Sequence, residues 1–178
     1  MTPTSTPTVG LLLALIAVLA AAHPARADQP PASSGAAVTT AASPSPRATT
    51  LAPDRVAELE NVPFVYIAST RKNGQLGQAA EIWFQYSDGS VWVASSPKSW
   101  RVKRIRWGRP QAKIWIGRRD GPSFRARGEL VQDPKRYDAL CAAFAVKYPD
   151  RWPRWEASFR DGLRSGERVL IRYTPVAD

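Results

Sequence analysis

Within seven residues, Ser95, Lys98, Ser99 and Arg101 place two hydroxyls and two cations where an apolar run gives way to a basic one. A phosphate is held by such groups: hydroxyl donors, a guanidinium fork, an ammonium and, at a helix start, free backbone N–H groups. The chemistry they imply is the holding of an anion. No constellation in the chain names a catalytic acid, base or nucleophile. His23 is the only histidine and Cys141 the only cysteine. That excludes a histidine-based triad, a histidine-rich metal centre, a disulfide framework and a multi-cysteine zinc or iron–sulfur site.

The same four residues also suit a plainer reading, a helix capped by Ser99 and opening in a solvated basic turn. Lys103, Arg104 and Arg106, further along, are expected to face solvent. Trp83, Trp92, Trp100, Trp107 and Trp115 can shape a cleft for a flat ligand, or fill a barrel core or a subunit interface. Cys141 falls on an apolar stripe and is expected to be buried and inert.

The elements that must position these residues read as follows. Residues 53–61 form a short helix with Val56 and Leu59 on one face. FVYIAST (64–70) is a β-branched and aromatic strand that ends in Arg71-Lys72-Asn73-Gly74, and Asn-Gly between apolar runs marks a tight hairpin. The return strand covers 75–86, Ser87-Asp88-Gly89 turns, and SVWVASS (90–96) is a third strand. Residues 97–107 read as a short basic helix stopped by Gly108 and Pro110. QAKIWIG (111–117) and FRARGELVQD (124–133) are the fourth and fifth strands. Asp133 caps a helix over 134–147 with Tyr137, Leu140, Cys141, Phe144 and Ala145 on one stripe. A loop and a second short helix fill 148–163, and ERVLIRYTPV (167–176) closes the chain as a sixth strand. The expectation is a mainly β (α+β) fold, a six-stranded antiparallel barrel with a few flanking helices.

The 178 residues accommodate one core, and composition sets the rest apart. Val9 to Ala22 is an unbroken apolar block, and Ala25 and Ala27 give the small-x-small pattern of a signal-peptidase site. Residues 1–27 are therefore read as a signal peptide for an exported, periplasmic or secreted protein, an uncleaved anchor being the alternative. Residues 28–50 are a Pro/Ala/Ser/Thr spacer expected to stay disordered, and residues 51–178 are the folded domain. After cleavage no stable membrane insertion is expected. The formal net charge is +10, and the leader carries one Arg and no acidic residue, so the excess stays with the folded part. An anionic partner and a merely solvated arginine-rich surface both fit that charge.

The order of elements and several local motifs resemble the pyridoxamine 5′-phosphate oxidase-like split barrels, which bind flavin mononucleotide (FMN) or the deazaflavin F420. YIASTRKNGQ is similar to the family's opening strand and hairpin, EIWFQYSDGSVWVASS to its central strands, SWRVKRIRWGRPQAKI to its Ser-x-Lys/Arg helix start and Pro-bearing turn, and GERVLIRYTP to its closing strand. The resemblance implies that Glu81, Ile82 and Trp83 run beside the flavin ring. It implies that Ser95, Lys98, Ser99 and Arg101 hold the phosphate. Many flavin-binding members carry a further Arg where this chain has Ala79. The implied function is an FMN- or F420-dependent oxidoreductase, a homodimer with its ligand at the subunit interface and an unknown small-molecule substrate. The alternative is a non-catalytic exported module that binds a flavin, F420, haem or another anionic ligand. Nucleic-acid binding through the basic face is disfavoured by the export signal.

Overall fold

The computed structural model describes residues 47–177; the predicted signal peptide and the spacer up to residue 46 lie outside the described residues. The elements run α1 (Pro53–Asn61), β1 (Val65–Ser69), β2 (Ala80–Ile82), β3 (Gln85–Ser87), β4 (Ser90–Ser95), α2 (Trp100–Arg106), β5 (Gln111–Ile116), β6 (Ser123–Val131), α3 (Pro134–Lys147), α4 (Trp152–Ser165) and β7 (Val169–Pro175). All strand pairings are antiparallel, in the order β2-β1-β5-β6-β7-β4-β3.

There are seven strands, not the six expected from sequence. The return strand expected over 75–86 begins only at Ala80, after an isolated bridge between Thr70 and Leu76, and is broken at Trp83-Phe84; its two pieces, β2 and β3, become the opposite edges of the sheet. That break dictates the shape. A flat sheet of seven strands is about 29 Å wide, whereas the chain from Ile82 to Gln85 reaches about 11 Å at most. The sheet must therefore curl until its edges almost meet, which makes a split barrel without a ladder across the seam.

Two cores follow from the curl. Inside the barrel lie Val65, Ile67, Val91, Val93, Ile114, Ile116, Ile171 and Tyr173, with Leu59 and Val102 reaching in from α1 and α2. Outside, α3 and α4 cover one flank and bury Trp92, Ala94 and Leu170 against Leu140, Cys141, Phe144, Trp152, Phe159 and Leu163. β4 is buried along its whole length because both of its faces are covered. Each large apolar side chain so buried contributes about 1.5–3 kcal/mol.

Local chemistry behaves as the residue types require. Asp88 and Gly89 both have positive φ, 51° and 67°, as the two-residue turn between β3 and β4 demands. Asp133 accepts a hydrogen bond from the Lys135 N–H and caps α3. Cys141 is buried, and desolvation pushes its thiol up. The loop and second helix expected over 148–163 are both present: residues 148–151 lead into α4, which at fourteen residues is longer than the short helix expected. Its Pro153 stands in the first turn, where a missing N–H is harmless. Its Gly162 makes room for the Arg168 stem, whose Cγ would lie 3.0 Å from an added Cβ. Residues 47–50, assigned to the spacer by composition, are tied to the chain end: Ala48 bridges Val176, and Thr49 N–H donates to the Pro175 carbonyl at 3.0 Å. No helix among the described residues is long and apolar enough to cross a membrane.

Candidate anion-binding cleft

The site builds up from the end of β4. Ser95 is buried, and its hydroxyl pairs with the Ser99 hydroxyl at 3.0 Å. Ser99 stands at the N-cap of α2 with extended backbone, yet its side chain makes no capping bond. It is committed to Ser95. The capping expected from sequence is absent because the neighbouring hydroxyl takes the contact.

Arg101 and Arg104 are three residues apart on α2 and so share a face. Both line a cleft of about 810 Å³, together with Ser99, Trp100, Ile67, Ser69, Arg71, Glu81, Arg119 and residues 78–80. Arg104 Nη1 donates to the Ser69 carbonyl at 2.7 Å and to its hydroxyl at 2.8 Å. This fixes the α2 face against β1. Gly77 is what lets it approach, since a Cβ there would lie 2.5 Å from Arg104 Nη1. Arg101 differs. Its buried Nη1 has no hydrogen-bond partner, and desolvation pushes its pKa down. Below it the Tyr173 hydroxyl is likewise buried and unpartnered, and burial pushes that phenol up to about 12, with the Arg101 guanidinium pulling the other way.

Glu81 is exposed at the rim, where its carboxylate accepts a 2.6 Å hydrogen bond from the Tyr66 hydroxyl. That bond holds the Tyr66 proton and raises its pKa. The Arg119 guanidinium lies 5.4 Å from the centroid of the same ring. The cleft therefore presents four guanidinium groups to one carboxylate. Such an excess attracts a multiply charged anion, and α2, with seven residues, adds little dipole of its own.

The structure thus brings together three of the seven residues singled out from sequence, Glu81, Ser99 and Arg101. Ser95 stands behind them as the partner of Ser99. Lys98 is exposed and does not line the cleft. Ile82 packs against the barrel core. Trp83 belongs to the outer core and stacks on Tyr148, with ring centroids 4.4 Å apart and planes at 11°. Arg104, expected in solvent, is a correction: it lines the cleft and clamps Ser69. The sequence signal for it is its three-residue spacing from Arg101, which puts both on one face of α2. Arg71 and Arg119 arrive from turns remote in sequence, and no local pattern marks them. Among the five tryptophans named from sequence, Trp92 is core, whereas Trp100 and Trp107 are 62% and 56% exposed. Among the described residues no cluster of His, Cys, Asp or Glu could hold a metal ion.

No family model matches the sequence, and no curated protein matches it. Solved structures do. The conserved hypothetical protein Rv2991 from Mycobacterium tuberculosis aligns with a TM-score of 0.52 at 17% identity, over 69% of this chain and 79% of that one. A candidate pyridoxamine 5′-phosphate oxidase from Listeria innocua aligns at 0.50 and 16%, over 68% and 90%. HutZ, the haem storage protein from Vibrio cholerae, aligns at 0.51 and 16%, over 73% and 93%. Identities this low speak to architecture alone, and on that level the chain has the split-barrel fold of the pyridoxamine 5′-phosphate oxidase-like proteins.

Proposed function

We propose that the cleft between α2 and β2 binds the phosphate of a flavin, FMN in the first instance, and that the protein is an exported, homodimeric oxidoreductase. One observation carries the reading. Among the described residues, Arg101 keeps a guanidinium without a carboxylate partner in a cleft where cations outnumber anions four to one. A half-buried cation with an orphaned donor is costly unless something negative meets it, and a phosphate dianion does. The residues fit the group. Ser99 and Arg101 would hold the phosphate, with Arg71, Arg104 and Arg119 supplying the field. Ala79, on the cleft wall, adds no charge of its own. A bound flavin supplies hydride transfer, and the protein supplies position and electrostatics. The phosphate-bearing F420 suits the same cations, and haem carboxylates do so less well.

A second reading, a binding module without turnover, has its own support. Among the described residues, Glu81 is the carboxylate that lines the cleft, and it is already engaged by the Tyr66 hydroxyl.

The test is an absorption titration of the purified protein with FMN, then F420, then haem. The reading expects a shifted FMN spectrum that is lost in the Ser99→Ala, Arg101→Ala double variant while the fold persists. No spectral change with FMN, or equal affinity in the double variant, would overturn it. Reduction of the bound flavin followed by reoxidation with turnover separates enzyme from binder. Sizing chromatography tests the dimer, and N-terminal sequencing of exported material tests cleavage after Ala27. Binding to nucleic acid, with its steep salt dependence, is not expected.

A further inference from the structure

A second cavity, of about 440 Å³, lies on the helical flank and is lined by Trp83, Arg151, Trp155, Phe159 and Arg168. It shares no lining residue with the basic cleft. We infer that this cavity is a binding site for a small planar aromatic carboxylate, and this does not depend on the flavin reading.

The walls are aromatic plates held in place from behind. Trp83, at the seam between β2 and β3, is stacked on Tyr148 and lies 6.1 Å from the Phe159 ring at 20°. Phe159 is itself packed edge-on against Phe144, at 5.6 Å. These rings are ordered before any ligand arrives, so a flat guest meets a preformed surface. Trp155, four residues before Phe159, projects from the same face of α4. It is 41% exposed and belongs to neither core. Its indole gives the fold little and gives the cavity a wall.

The charge is also unanswered. The Arg168 guanidinium sits 4.1 Å from the Phe159 centroid and is aimed by two hydrogen bonds, to the Ser158 carbonyl at 3.1 Å and hydroxyl at 3.0 Å. Arg151 stands at the start of α4. Neither has a carboxylate partner among the described residues. Stacked rings with two uncompensated guanidinium groups select for a guest that is both flat and anionic. The volume suits one or two fused rings with one acidic group.

The probe is 1-naphthoate, titrated into the full chain and followed by tryptophan side-chain N–H signals and by calorimetry. The neutral 1-naphthalenemethanol and the non-planar cyclohexanecarboxylate serve as controls. Binding in the sub-millimolar range is expected, with each control weaker by about tenfold, the size of one lost stacking or charge-assisted contact. Trp155→Ala and Arg151→Gln, both at exposed positions, should each weaken naphthoate by about fivefold or more without changing the circular dichroism. Arg101→Met should leave it unchanged. No binding at millimolar naphthoate overturns the inference. So does wild-type affinity in both cavity variants, or loss of binding in Arg101→Met, which would place the guest in the basic cleft.

Discussion

The Tyr148 hydroxyl accepts a hydrogen bond from the Phe84 N–H at 3.0 Å and lies 3.1 Å from the Phe84 carbonyl and 2.9 Å from that of Pro63. Phe84 sits in the two-residue seam between β2 and β3, where no ladder satisfies its backbone. A single phenol from the end of α3 takes over that role, donating its one proton to a carbonyl. Burial raises its pKa well above the usual phenol value, so it remains protonated. Tyr148→Phe should leave buried Phe84 groups unsatisfied and cost about 1–3 kcal/mol. Urea denaturation measures this, and an unchanged midpoint would show that the seam does not depend on Tyr148.

Lys147, one residue earlier, places its ammonium 3.6 Å from the Phe84 ring centroid and donates to the Leu59 carbonyl at 3.3 Å. Burial pulls its pKa from 10.5 down to about 8. As pH falls through that window the unfolded chain takes up the proton before the folded one does. The folded state therefore loses stability as pH falls from 10.5 to about 8, and nothing more is lost below. Lys147→Met abolishes this term. Its melting temperature relative to the wild type should be highest near pH 7 and decline towards pH 10. A difference that is flat in pH, or rises, contradicts the assignment.

Gly128 in β6 is a packing requirement. An added Cβ would lie 2.8 Å from Tyr173 Cε1 and 2.9 Å from Ile105 Cδ1. Tyr173 is buried inside the barrel, and Ile105 on α2 is partly buried against the same core. Gly128→Ala should destabilise by about 1–3 kcal/mol as those side chains are forced off their rotamers. Thermal unfolding of the variant checks it. A neutral result would mean that α2 can slide outward.

Arg101 separates stability from binding. Its guanidinium is desolvated and unpaired, so replacing it with an apolar side chain of similar length removes a cost. Arg101→Met should be as stable as the wild type or more so, while losing affinity for a phosphate-bearing ligand at least tenfold, the worth of one charge-assisted contact. Denaturation and FMN titration run in parallel would show it. If stability and affinity fall together, Arg101 is a structural residue.

Features that depend on near neighbours are legible in the sequence. α1, the Asp133 cap and the stripe Leu140, Cys141, Phe144 on α3 follow from helical spacing and capping chemistry. The turns at Asn73-Gly74 and Asp88-Gly89 follow from backbone conformations that few residues adopt. The Ser99–Arg101 part of the cleft was legible for the same reason, because its hydroxyl and guanidinium lie on one short segment.

The tertiary structure decided the rest. Nothing in AAEIWFQYS announces that a strand breaks at Trp83-Phe84. The break exists because the two halves must serve opposite edges of a curled sheet, and its backbone is satisfied by Tyr148, more than sixty residues away. Arg71 and Arg119 join Arg101 only once the hairpin and the β5–β6 turn are carried to the same end of the barrel. Trp83 turns to the helical flank rather than to the basic cleft because α3 and α4 offer it aromatic partners. Near neighbours thus set the local elements and the basic character of the segment from Lys98 to Arg106. The closure of the sheet decided which charges meet and which ring faces which cavity, because such pairings arise from the path of the whole chain.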